Sequence, residues 1–150
     1  MPTIKPESKM YRRLAEGLSG ADPSCHLSRI ESRVNLGFPD LVAAFGGPDG
    51  VFIPIELKIV RRGLLVDLRP HQIAFHAKHA DLGCPTFILV EYHPPQTRLD
   101  AYAEWLLYAG EQAIELARLG CRLEPLARWP ATRVQWHVLR GVLTGRDVVG

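Results

Sequence analysis

The stretch that decides the fold is Gly37-Phe38-Pro39-Asp40-Leu41-Val42-Ala43-Ala44-Phe45, then Gly46-Gly47-Pro48-Asp49-Gly50, then Val51-Phe52-Ile53-Pro54-Ile55-Glu56-Leu57-Lys58-Ile59-Val60. The middle five residues are turn formers, and apolar runs flank them on both sides, so the segment reads as a β-hairpin. A simple antiparallel hairpin pairs Phe45 with Val51, sets Leu41 against Ile55 and places Asp40 opposite Glu56. Opposed side chains of that kind have Cβ atoms roughly 4.5–5.5 Å apart. Strand alternation puts Lys58 on the same face as Glu56, and sends Ile53, Ile55, Leu57 and Ile59 to the other face with Leu41, Ala43 and Phe45. Pro54 has no N–H to give to a ladder, and a bulge there would shift the register by one.

Outward from the hairpin, Pro6 opens a helix whose stripe is Met10, Leu14 and Leu18. Residues 25–34 read as a strand. Pro70 opens a second helix running to about Leu82 and stopping at Gly83, and Pro85 to Tyr92 is an apolar strand. A helical stretch is expected over about Leu99–Leu119, broken near Gly110 and capped by Gly120; a strand is expected over Val134–Leu139, with a loosely held tail after Gly141. The order helix, three strands, helix, strand, then an extension points to an α/β domain: a small mixed sheet covered by helices. A length of 150 residues suits a single domain over 1–150, with a core of about 6–93 and a C-terminal extension of about 98–150.

Composition narrows the function classes. The chain is 47% hydrophobic and 23% charged, with 18 Lys+Arg against 16 Asp+Glu and a formal charge of +2. A protein that wraps nucleic acid by bulk charge is excluded; one that touches it locally is not. Arg outnumbers Lys 14 to 4, which suits bidentate phosphate contact and equally suits a GC-rich genome. No run reaches the ~20 apolar residues of a membrane helix, and the first residues open no secretory signal. Cys25, Cys84 and Cys121 are too few and too widely spaced for a disulfide framework or a zinc site, so a cytoplasmic setting is expected.

Asp40 and Glu56 side by side repel each other, and a divalent cation is the natural compensator. Mg²⁺ prefers carboxylate oxygens and completes its shell with water and phosphate. A lysine two residues from a metal-binding glutamate can position the attacking water or neutralise charge developing on phosphate. The alternative is a buried Asp–Glu–Lys network that only satisfies itself.

These residues resemble the PD-(D/E)XK nuclease superfamily, and within it the virus-type replication-repair nuclease and Holliday junction resolvase-like branch. The resemblance runs over about residues 7–92. It takes in a glutamate in the first helix, Gly37-Phe38-Pro39-Asp40-Leu41, Ile55-Glu56-Leu57-Lys58, the helix start Arg69-Pro70-His71-Gln72 and the Gly-x-Pro before the next strand. It implies a restriction-endonuclease-like αβββαβ core and a Mg²⁺-dependent DNA endonuclease, with Mn²⁺ substituting and no small-molecule cofactor. Such an enzyme would be selective for branched DNA, of phage or mobile-element type, and a homodimer joined through the extension. It further implies that Asp40 and Glu56 bind the metal, that Lys58 assists the water, and that Gln72 supports the site.

For the first-helix glutamate, Glu7 lies on the Met10/Leu14/Leu18 stripe and Glu16 nearly opposite. Glu7 is the candidate third metal ligand, with plain helix-dipole stabilisation as the equal alternative. Arg61, Arg62 and Arg69 flank the site and suit contact with a DNA backbone. Arg29 and Arg33 share a face with Glu31, where they either meet phosphate or pair with that carboxylate. His71, His76 and His79 read as surface or DNA-facing residues, and Trp105, Trp129 and Trp136 as core or interface aromatics. Two rival readings remain: a non-catalytic nucleic-acid-binding or packaging accessory on the same fold, and a site-specific restriction-type endonuclease.

Overall fold

The computed structural model describes residues 5–30, 37–95 and 102–146. Helix α1 (Pro6–Ala21) is followed by strands β1 (His26–Arg29), β2 (Leu41–Phe45) and β3 (Val51–Val60). Next come α2 (Pro70–Asp81), β4 (Phe87–Tyr92), β5 (Glu104–Ala109), α3 (Ala113–Leu119), β6 (Ala127–Pro130) and α4 (Trp136–Thr144). The six strands form one sheet in chain order, antiparallel throughout except for the parallel pair β3–β4. A parallel pair needs a crossover, and α2 supplies it. The first six elements thus run in the expected order αβββαβ.

The hairpin register is the expected one: Phe45 pairs with Val51 and Leu41 with Ile55. Pro54 causes no slip. It sits opposite Val42, one residue before the β4 ladder begins at Ile55, where β3 has an open side that tolerates a missing N–H. Leu41, Ala43, Phe45, Ile53, Ile55 and Leu57 pack with Met10, Leu14 and Leu18 of α1 and with Leu139 and Leu143 of α4. The opposite face carries a second core, built from Val60, Ile88, Val90, Leu106, Tyr108 and Leu116.

Three expectations beyond residue 98 are corrected. Residues 104–109 are a strand, not part of a helix: Trp105 and Leu107 belong to the α1-side core, and Leu106 and Tyr108 to the other. A strand buried on both faces reads as a continuous apolar run, and burial overrides the helix propensity of Glu, Leu and Ala. A 3₁₀ turn at Gly110–Gln112 follows, and α-helix begins at Ala113. Residues 136–144 are helix rather than strand, because Leu139 and Leu143, one turn apart, drop into the α1-side core. The tail after Gly141 is not loose as far as Arg146, whose guanidinium donates to the carbonyls of Gly46 and Asp49 in the hairpin turn. Among the described residues no helix is long and apolar enough to cross a membrane.

Candidate functional site

Strand β3 outruns its partner. Pairing with β2 ends at Leu41–Ile55, yet β3 continues to Val60. Beyond that point the β3 backbone groups that faced β2 need other partners, because an unpaired buried N–H is costly. Asp40 supplies one: the Leu57 N–H donates to Asp40 Oδ2 at 2.7 Å. The same residue's carbonyl accepts from the Ile30 N–H at 2.8 Å, so Asp40 is fixed through both backbone and side chain.

The residues before it are wedged against α2. A Cβ on Gly37 would stand 2.5 Å from the His71 carbonyl oxygen, and the Phe38 ring meets Phe75 edge-on at 5.1 Å. Backbone against backbone has no flexible side chain to yield. Gly37→Ala is therefore expected to destabilise the protein by about 1–3 kcal/mol, read as a lowered urea midpoint at unchanged m-value. A variant as stable as the parent would show that the loop and α2 separate freely.

Glu56 points to the α2 side of the sheet and is 2% exposed. Its Oε1 accepts from Gln72 Nε2 at 2.9 Å and lies 3.8 Å from Lys58 Nζ. Lys58 Nζ in turn donates to Gln72 Oε1 at 3.0 Å, and the Arg69 N–H donates to the same oxygen at 3.0 Å. Gln72 therefore reaches back to the N-cap residue of its own helix. That contact settles the amide orientation: the oxygen faces Lys58 and the NH₂ faces Glu56. Glu56 Oε2 is buried and has no hydrogen-bond partner. Burial, and then the Asp40 carboxylate beside it, push the Glu56 carboxyl up to about 8; Lys58 only partly opposes them.

These groups face a cleft of about 540 Å³. Glu7, Asp40, Glu56, Lys58 and Gln72 line it together, with Arg29 and Arg69. Glu7 is exposed there, whereas Glu16 lines a different cavity beside Trp136. Arg29 is held by the Ser8 hydroxyl at 3.1 Å and by the Tyr11 ring, whose centroid is 5.2 Å from its guanidinium carbon. Arg61 and Arg62 are exposed on the loop after β3 and do not line the cleft. Arg33 lies outside the described residues. Lys5 and Asp67 also line the cleft; sequence reading missed both, since each lies outside any periodic element and carries no motif.

His76 is a correction. It is fully buried on the inner side of α2, with Nδ1 2.7 Å from Thr86 Oγ1, and is neither surface nor DNA-facing. Burial holds its imidazole down at about 4, with His79 and Lys58 adding to the effect. Trp105 and Trp129 are buried, as expected for core aromatics.

The donor set fits a hard cation. Among the described residues no group of three or more His, Cys, Asp or Glu is arranged around one point. Two carboxylates, one with a buried and unpartnered oxygen, suit an ion that keeps several waters and takes the rest of its shell from substrate phosphate.

No family model matches the chain, and no curated protein is similar to it. The fold defines an α/β protein with a mixed six-stranded sheet flanked by helices. Among solved structures it is similar to Hjc, a Holliday junction resolvase from the archaeal hyperthermophile Archaeoglobus fulgidus. The two are 17% identical with a TM-score of 0.47, over 70% of this chain and 78% of that one.

Proposed function

We propose that the chain is a divalent-metal-dependent endonuclease that hydrolyses phosphodiester bonds in DNA. The observation that carries this reading is the buried, unpartnered Glu56 Oε2 beside Asp40, in a cleft that also presents Lys58, Arg29 and Arg69. An ionised Glu56 would leave that oxygen an orphaned buried acceptor at a cost of about 1–3 kcal/mol, which either a proton shared with Asp40 or a bound cation relieves. A bound Mg²⁺, with Mn²⁺ substituting, would polarise the scissile phosphate and lower the pKa of a water.

Asp40 and Glu56 would hold the ion, with Glu7 a third ligand. Lys58, steered by Gln72, would orient the attacking water or neutralise charge gathering on the phosphate. Arg29 and Arg69 would take the flanking phosphates inside the cleft, with Arg61 and Arg62 contacting the backbone farther out, and Arg33 is proposed as a further phosphate contact. The resemblance in the sequence extends the proposal to one nuclease domain over residues 1–150, acting in the cytoplasm as a homodimer on branched DNA, in a phage or mobile-element setting.

The test compares linear duplex, single strand, flap, four-way junction and supercoiled plasmid, with Mg²⁺, Mn²⁺ or chelator. Metal-dependent cleavage, fastest on a branched substrate, is expected. Binding without cleavage under every condition would replace this reading with that of a non-catalytic accessory. Cleavage at one sequence irrespective of branching would favour a restriction-type enzyme.

A further inference from the structure

Helix α2 carries Gln72 to the site, yet its attachment to the sheet is unusual. Its one fully buried side chain is a histidine, His76, four residues after Gln72 and therefore on the same helix face. His76 is 0% exposed and its Nε2 has no partner, so the bond from Nδ1 to Thr86 Oγ1 is its one polar anchor. Thr86, 3% exposed, stands at the entry to β4. The turn after β5 closes the arrangement from outside. The Gly110 N–H donates to the Thr86 carbonyl at 2.7 Å, and a Cβ on Gly110 would meet Thr86 Oγ1 at 2.0 Å and His76 Nδ1 at 3.1 Å. Glycine at 110 is what lets the histidine and threonine meet under the helix.

Apolar packing fixes a helix loosely in rotation and slide, because many arrangements bury similar area. A buried hydrogen bond admits one. The demand at the other end of the face is exacting: Gln72 must place its NH₂ on Glu56 and its oxygen on Lys58 at once. A displacement of about 1 Å in such a constellation can cost up to ~100-fold in rate.

We propose that the buried His76–Thr86 hydrogen bond, locked by Gly110, is a positioning device. It sets α2 on the sheet so that Gln72 bridges Glu56 and Lys58. This inference rests on the nuclease reading only for its kinetic arm. It also gives β5 and the turn after it, which lie outside the αβββαβ core, a task at the site.

Thr86→Val removes the hydroxyl at constant shape, and Thr86→Ser restores it. On a cleaved DNA substrate Thr86→Val should lower kcat about 10-fold to 100-fold with KM little changed, at a temperature below its unfolding midpoint; Thr86→Ser should retain the parent rate. In a Gln72→Ala background Thr86→Val should cost nothing further, because the residue through which it acts is gone.

Independently of catalysis, ¹⁵N NMR of the metal-free protein should show the Gln72 side-chain NH₂ resonances shifted in Thr86→Val and parent-like in Thr86→Ser. Equal losses with and without Gln72 would overturn the proposal. So would an unmoved Gln72 signal, or a lowered unfolding midpoint with full kcat. If the parent chain cleaves nothing, the nuclease reading fails while the NMR comparison still decides this one. If Thr86→Val does not fold, Thr86→Ala carries the same comparison.

Discussion

Replacing Lys58 by alanine is expected to lower metal-dependent cleavage about 100-fold to 1,000-fold, the range seen when one preorganised donor to developing charge is removed. The fold should survive. Lys58 lies at the cleft rather than in the apolar core, and its side chain is 16% exposed, so truncation opens no cavity between sheet and helix. What disappears is the one cation bonded to Gln72 and standing 3.8 Å from Glu56 Oε1.

Asp40 is better tested as Asp40→Asn than as alanine. The amide oxygen can still accept from the Leu57 N–H, whereas alanine would strand that donor and confuse loss of ligand with loss of structure. Asp40→Asn should match Lys58→Ala in lost rate. Single-turnover cleavage, with circular dichroism and a urea midpoint for each variant, makes the comparison. If either variant cleaves within about tenfold of the parent rate, the roles assigned to Asp40 and Lys58 are wrong.

The part of the candidate site's geometry that was legible in sequence is the part governed by local chemistry. The Gly46–Gly50 turn sets the loop length, loop length sets the Phe45–Val51 pair, and a period of two carries that register to Leu41–Ile55 without a further assumption. Glu56 and Lys58 then share a face by alternation alone. Gln72 needed more than spacing. Nothing local says that a helix starting at Pro70 returns to β3; the resemblance pointed to Gln72, and its three contacts join it to Lys58, Glu56 and Arg69.

The errors fall where tertiary burial opposes local preference. Glu104, Leu106, Leu107 and Ala109 are ordinary helix formers, yet with Trp105 and Tyr108 they become a strand because both faces of that ribbon are covered. Val134, Trp136 and Val138 alternate like a strand, but the burial that counts is Leu139 and Leu143 at helical spacing. His76 is illegible in isolation, since a histidine on a polar helix reads as solvent-facing until Thr86 and Gly110 are brought beneath it.

The second large effect is on stability, and its direction is opposite to that on activity: Glu56→Gln should stabilise the metal-free protein while removing cleavage. The folded carboxyl titrates at about 8 against an ordinary 4.5, because burial and Asp40 oppose its charge. Between those values the native state binds more protons than the unfolded chain, so this contribution is fully present below pH 4.5 and is lost as pH rises through 8. His76 runs the other way. Held down at about 4 from 6.5 by burial, it contributes stability that is present above pH 6.5 and lost as pH falls through 4.

The two slopes oppose each other between about pH 4.5 and 6.5. Between pH 6.5 and 8 the Glu56 slope dominates, and with chelator present the parent protein should lose about 2 kcal/mol by pH 8. Glutamine at 56 keeps the shape and an acceptor for Gln72 but has no charge to desolvate. Glu56→Gln should therefore lose that slope and exceed the parent by about 2–4 kcal/mol at pH 8, seen as a higher urea midpoint. Adding Mg²⁺ should raise the parent's midpoint at pH 8 and leave that of Glu56→Gln nearly unmoved, because a cation supplies at Oε2 what the proton otherwise must. If Glu56→Gln proves less stable than the parent at pH 8 in chelator, the buried carboxylate is already satisfied within the fold and the metal reading of the cleft loses its main support.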